Sequence, residues 1–146
     1  MKISRLAFLA FICIMFCLSS CSSSESVISY KEVNNYFVRN DVTDYSPRLI
    51  RSSEELNQYF GQATFMGKGG IPTDIDFTKY NVVAIIEPET NVDTQIKITS
   101  IKKQGDKIFV DYNVFKSGDK RSYSTVPCLL VQVEKKYGTD VTFKKD

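Results

Sequence analysis

Asp76-Phe-Thr-Lys-Tyr-Asn-Val-Val-Ala-Ile-Ile-Glu-Pro88 is the stretch on which the fold turns. Val82 to Ile86 is an unbroken apolar run of five residues, four of them β-branched. Such a run fits a strand covered on both faces, because a strand with one wet face would alternate. Asp76 and Lys79 mark a polar turn leading in. Pro88, which has no N–H for a ladder, closes the run.

Working outward, the C-terminal half reads as antiparallel strands able to pair around this one. Thr94 to Lys103 is a strand in which Ile96 and Ile98 share a face while Ile101 falls on the other, so a bulge near Ser100 is expected. Gln104-Gly105-Asp106 makes a hairpin turn. From Lys107 to Phe115, Ile108, Val110, Tyr112 and Val114 alternate with Asp111 and Asn113. Lys116 to Arg121 is a charged connection, Ser122 to Val126 is extended, and Pro127 marks a bend or edge. Cys128 to Val133 puts Leu129, Val131 and Val133 on one face; after a turn at Tyr137-Gly138-Thr139, Val141 to Phe143 closes the domain.

Upstream, Glu32 to Arg39 reads as a first strand and Asn40 to Pro47 as a turn-rich bend. Leu49-Ile50-Arg51 feeds one short helix. Ser52 and Glu55 have the spacing of a capping box, Leu56, Tyr59 and Phe60 form one apolar stripe, and Gly61 is the expected stop. The segment from Ala63 to Pro72, with Gly67, Gly69 and Gly70, reads as a mobile loop carrying Phe65 and Met66 into or onto the core. The expected class is α+β: five or six mostly antiparallel strands, as a sandwich or partly open barrel, with one short helix packed on the sheet.

The N-terminus reads differently. Lys2 and Arg5 precede a thirteen-residue apolar run, Leu6 to Leu18, too short for the ~20 residues that span a bilayer and typical of a secretory signal. Leu18-Ser19-Ser20-Cys21 resembles the lipobox of bacterial lipoproteins, in which the cysteine is acylated and becomes the first residue after cleavage. The expected organisation is a signal peptide over residues 1–20, lipidation at Cys21, a flexible serine-rich tether over residues 21–28, and one β-rich domain over residues 29–146. The chain then belongs in a bacterial cell envelope, at the outer membrane rather than the inner.

Processing changes the charge. Loss of Lys2 and Arg5 leaves 17 of the 19 basic side chains against 17 acidic ones. A neutral domain has no electrostatic case for nucleic acid. Of the four cysteines only Cys128 remains in the domain, so the core must hold it without an internal disulfide.

The chain has no histidine, which removes the usual general base and the commonest metal ligand. Cys128, between Pro127 and Leu129, reads as a small buried hydrophobe rather than a nucleophile. Asp74 and Asp76 lack the glycine and distal glutamate of a calcium loop, and one or the other reads as a turn cap. Glu87 and Glu89 bracket Pro88, and such a pair divides acid and base roles only where the surroundings push the two pKa values apart. The pairs Lys102-Lys103, Lys135-Lys136 and Lys144-Lys145 read as solvated strand-end charges. Neither enzyme, cofactor nor metal is expected.

The order of features carries a resemblance. Leu49-Ile50-Arg51-Ser52 stands before a short Glu-rich helix, and Ile75-Asp76-Phe77-Thr78-Lys79-Tyr80 before the apolar strand. Two further strands and one led by Pro127 follow. This resembles the PrcB-like family, whose C-terminal domain is named for a lipoprotein subunit of a bacterial surface protease complex. The resemblance covers about Arg48 to Phe143 and implies binding to and stabilising a protease, without catalysis. Where family members often carry Gly-Gly-Tyr, this chain has Asn91-Val92-Asp93-Thr94-Gln95, a change in a loop that could alter partner choice.

The expected function is thus a lipid-anchored binding module, monomeric as a domain, for another envelope protein such as a protease. Its contact residues are expected on loops: Phe65, Met66 and Lys68; Glu89, Asn91 and Asp93; Lys116, Asp119 and Lys120. The alternatives are a protease inhibitor, against which the glycine-rich loop looks too flexible, and a carrier of a small apolar ligand.

Overall fold

The computed structural model describes residues 24–146; the expected signal peptide and Cys21 lie outside them. Among the described residues ten strands and one α-helix follow in the order β1 (Glu25–Val27), β2 (Lys31–Val33), β3 (Tyr36–Val38), β4 (Arg48–Ile50), α1 (Ser53–Tyr59), β5 (Phe60–Gln62), β6 (Tyr80–Ile86), β7 (Asp93–Gln104), β8 (Lys107–Ser117), β9 (Cys128–Glu134) and β10 (Asp140–Lys145). Five strands have six residues or more; the other five have three each. The class is α+β and mostly antiparallel, and the sheets do not close into a barrel.

Two four-stranded sheets form a sandwich, ordered β1-β7-β8-β10 and β2-β9-β6-β4. β6 lies inside the second sheet, between β4 and β9. Its alternate residues serve two cores. Val83 and Ile85 point toward the first sheet, where they join Ile101, Ile108, Val110, Val131 and Val133. Val82, Ala84 and Ile86 point the other way, under a third layer made of α1 and the β3–β5 pair, where Leu56 and Phe60 cover them. The continuous apolar run follows from that double covering.

Local signals account for the rest. The Glu55 N–H donates to Ser52 Oγ at 3.2 Å, and the Glu55 carboxylate accepts from the Arg51 N–H at 2.8 Å, one residue earlier than a capping box would have it. The β7–β8 register slips between Ile98 and Ser100, which brings both Ile96 and Ile101 inward. Gly105 turns the hairpin with φ +61°.

Four expectations need correction. Residues 25–28 are not tether: β1 pairs with Lys102–Gln104 of β7, and Ile28 is buried in the sandwich. The single first strand is two, broken at Asn34-Asn35, where Asn35 takes φ +65°; β2 joins the second sheet and β3 pairs with β5. Asparagine tolerates that left-handed conformation better than most residues. Gly61 does not stop the helix, which ends at Tyr59, with Phe60 already extended. Gly61 lies in β5, opposite Phe37, and a Cβ there would come within 2.5 Å of the Phe37 ring. Finally, β10 runs parallel to β8, its partner, because the 3₁₀ turn at Lys135–Tyr137 carries the chain across to the other sheet.

Two buried polar groups stand out. Lys145 Nζ donates to both oxygens of the buried Glu87 carboxylate at 2.8 Å, tying the last strand to the exit of β6. Asn81, 1% exposed, has no hydrogen-bond partner among the described residues for either side-chain polar atom, an arrangement that costs about 1–3 kcal/mol.

Candidate functional site

The sandwich has two unlike ends. At one, the chain enters through Glu25, opposite Gln104, beside the Gly105 hairpin. At the other, β6 ends at Ile86 opposite Cys128, β7 begins and β8 ends. All the loops expected to make contacts belong to this second end.

Two of them are knitted together. The Thr90 and Thr125 backbones bond each other in both directions at 2.9 Å, and the Arg121 N–H donates to the Asn91 carbonyl at 2.7 Å. Arg121 also pairs through its side chain with Asp93 at 2.6 Å, its guanidinium lying 5.6 Å from the centre of the exposed Tyr123 ring. Glu89, Asp119 and Lys120 are exposed around this rim and Asn91 is half-buried, while Asp93 and Lys116, expected on loops, are exposed residues of the paired ends of β7 and β8.

The third loop hangs from the β2–β3 break, and there the structure corrects the sequence. Phe65 and Met66 do not enter the core; they are 56% and 101% exposed, with Ile71 at 80%. Nor is the loop loosely held. Asn35 Nδ2 donates to the carbonyls of Gly69 and Ile71 at 2.6 and 2.8 Å. Asn34 exchanges bonds with Thr73, using the threonine hydroxyl and backbone, and the Tyr36 hydroxyl donates to the Thr73 carbonyl at 3.0 Å. The loop closes on itself where the Phe65 N–H meets the Gly70 carbonyl at 3.1 Å. A Cβ on Gly70 would sit 1.9 Å from the Phe65 carbonyl oxygen, so only glycine fits. Lys68 is exposed at the tip.

The arrangement is one of presentation. An apolar trio, Phe65, Met66 and Ile71, is held in water by a hydrogen-bonded frame. Ile71 and Asn35 were not among the residues singled out from the sequence. The available signal was Asn34-Asn35, two turn-forming residues interrupting a run of β-formers.

Of the groups weighed for chemistry, Asp76 and Glu87 are held by contacts within the fold. Asp76 accepts from the Thr78 N–H at 3.0 Å and from the Thr78 hydroxyl, and pairs with Lys79 at 3.0 Å. These contacts, the Thr78 hydroxyl bond foremost, bring its pKa down to about 2. Burial pushes the Cys128 thiol up to about 11, the opposite of the shift that activates a nucleophilic cysteine. Tyr112 is raised as well, by burial and then by the nearby Glu87 charge. No group of three or more potential metal ligands occurs among the described residues.

No family model, curated protein or solved structure matches the chain.

Proposed function

We propose that this chain is a non-catalytic binding module of the bacterial envelope, anchored by lipid on Cys21, that engages another envelope protein through its loop end. The PrcB-like resemblance points to a secreted or surface protease as that protein. The observation that carries the reading is the framed loop with Phe65, Met66 and Ile71 in solvent. Large apolar side chains so exposed cost solubility unless something covers them, and aromatic and methionine side chains are favoured at interface centres. A loop already held in shape loses less entropy when it binds.

The path of the chain supports an orientation. Four residues from Cys21 to Glu25 reach at most about 14 Å, which keeps the Gly105 end of the sandwich close to the bilayer. The loop end lies the length of the twelve-residue β7 away, about 40 Å. Partners would meet it on the side away from the membrane.

The test is recovery of a partner from solubilised membranes at native expression. The Phe65→Ser, Met66→Asp double variant, altered only at exposed positions, is expected to fold normally and to lose about tenfold or more of the recovered partner. Wild-type protein that recovers nothing would end the reading.

The bracing also favours a sharper form, protease inhibition, because it answers the objection that this loop is too flexible to enter a cleft. Inhibition of a serine or cysteine protease by micromolar protein, lost in the same double variant, would establish that form.

A further inference from the structure

We propose a second docking site at the open edge of β7, which accepts an extended segment of a partner protein as an added strand. Along one edge β7 pairs with β8 from Asp93 to Gln104. On the other edge, among the described residues, β1 covers only Lys102–Gln104, and the Ile28 N–H adds one bond to the Ile101 carbonyl at 2.8 Å. The chain then leaves for the second sheet as β2, so Asp93 to Ile98 keeps a free ladder edge about 20 Å long. The slip after Ile98 sets its limit, since a bulge interrupts regular pairing.

A cavity of about 270 Å³ runs beside this edge, between β7 and β2. Tyr30, Ile96, Ile98 and Leu129 form its apolar part, and Glu32, Gln95 and Lys97 complete a lining that is more polar than apolar. Added strands gain affinity from main-chain bonds and specificity from alternate side chains in pockets. Here one inward side chain would meet the apolar lining and the next inward one, two residues along, would meet Glu32. The occupant is therefore an extended segment with an apolar residue and a basic residue at positions i and i+2.

The charges disfavour a second copy of this chain in that place. Lys97 also borders the cavity, but its amine lies 5.5 Å from the centre of the Phe115 ring on the outer face of β7, so a copy pairing edge to edge would turn Ile96 and Ile98 inward and bring Glu32 no cation. An acidic side chain turned toward a sheet seam also discourages indiscriminate pairing. This edge starts at Asp93 on the rim of the loop end but shares no residue with the framed loop from Phe65 to Ile71, so the peptide and the Phe65→Ser, Met66→Asp variant test the two proposals separately.

The experiment uses the acylated chain in detergent micelles with the acetylated heptapeptide Thr-Val-Thr-Leu-Thr-Arg-Thr as probe, read by backbone amide shifts and hydrogen exchange. Binding should shift and protect amides within Asp93–Ile98 and shift Tyr30 and Glu32. Glu32→Lys should weaken it about tenfold, and the peptide with glutamate in place of arginine should recover that loss on the variant. No response in β7 at roughly millimolar peptide, a response confined to another surface, or an unchanged affinity for Glu32→Lys would each overturn the proposal. So would sedimentation showing that the chain dimerises through β7.

Discussion

β6 and β7 are both central to their sheets by length and contact, yet they differ in what surrounds them. β6 has strands on both edges and packed layers on both faces, and six of its seven residues are buried. β7 has twelve residues, one fully paired edge, one packed face, and only Ile96 and Ile101 buried. The first strand spends its side chains on stability. The second leaves most of its side chains less than fully covered, and β1 pairs with only three of its residues. The contacts proposed above fall where the sandwich is incomplete, at the β7 edge and the loop end, and the closed centre holds those places in position.

The contrast can be tested by substitution. Ile85→Ala on β6 should cost about 2–5 kcal/mol in denaturant unfolding, since the cavity it leaves is lined by two packed sheets. Ile98→Ala on β7, half-buried, should cost clearly less; equal losses would erase the distinction. Next in size, Lys145→Met should cost roughly 1–3 kcal/mol, because it leaves the buried Glu87 carboxylate without its cation while the lysine itself is half in water. A change of a few tenths would mean that packing alone holds β10 to the exit of β6.

The smallest effect is one of pH and concerns Cys128, opposite Ile86 in β9. Its folded pKa, about 11, lies above the ordinary value of 9.0 because burial favours the neutral thiol. The contribution is therefore fully present below about pH 9 and is lost as pH rises through about 11. Stability measured across that alkaline window should fall less steeply in Cys128→Ala than in the wild type. Parallel curves would show that the thiol does not titrate on unfolding.

The legibility of the fold follows the same division. Val82 to Ile86 announced a doubly covered strand, and the Ile96-Ile98-Ile101 mismatch announced the bulge, because burial imposes a period on side chains. Ser52 and Glu55 marked the helix start for a reason equally local. Asp76 proved a turn cap, its carboxylate taken by Thr78 and Lys79. Other features depended on distant partners. Phe65 and Met66 looked like core residues because apolarity alone does not say which way a loop faces. Gly61 looked like a helix stop, although its small size answers to Phe37 across a strand pair. Ile28 and β1 were hidden in a polar stretch that finds its order only against β7.

By itself, the chain determined an α+β domain built on an aliphatic central strand, without imidazole, and with near balance between its acids and bases. These properties are written in composition and short-range period. Tertiary structure decided that Asn35 would brace a loop thirty-odd residues away, that Arg121 would close onto Asn91 and Asp93, and that β1 would stop after three pairs and leave an edge bare. Such outcomes arise from which backbone groups are left over once the sheets have paired, and no local pattern records that remainder.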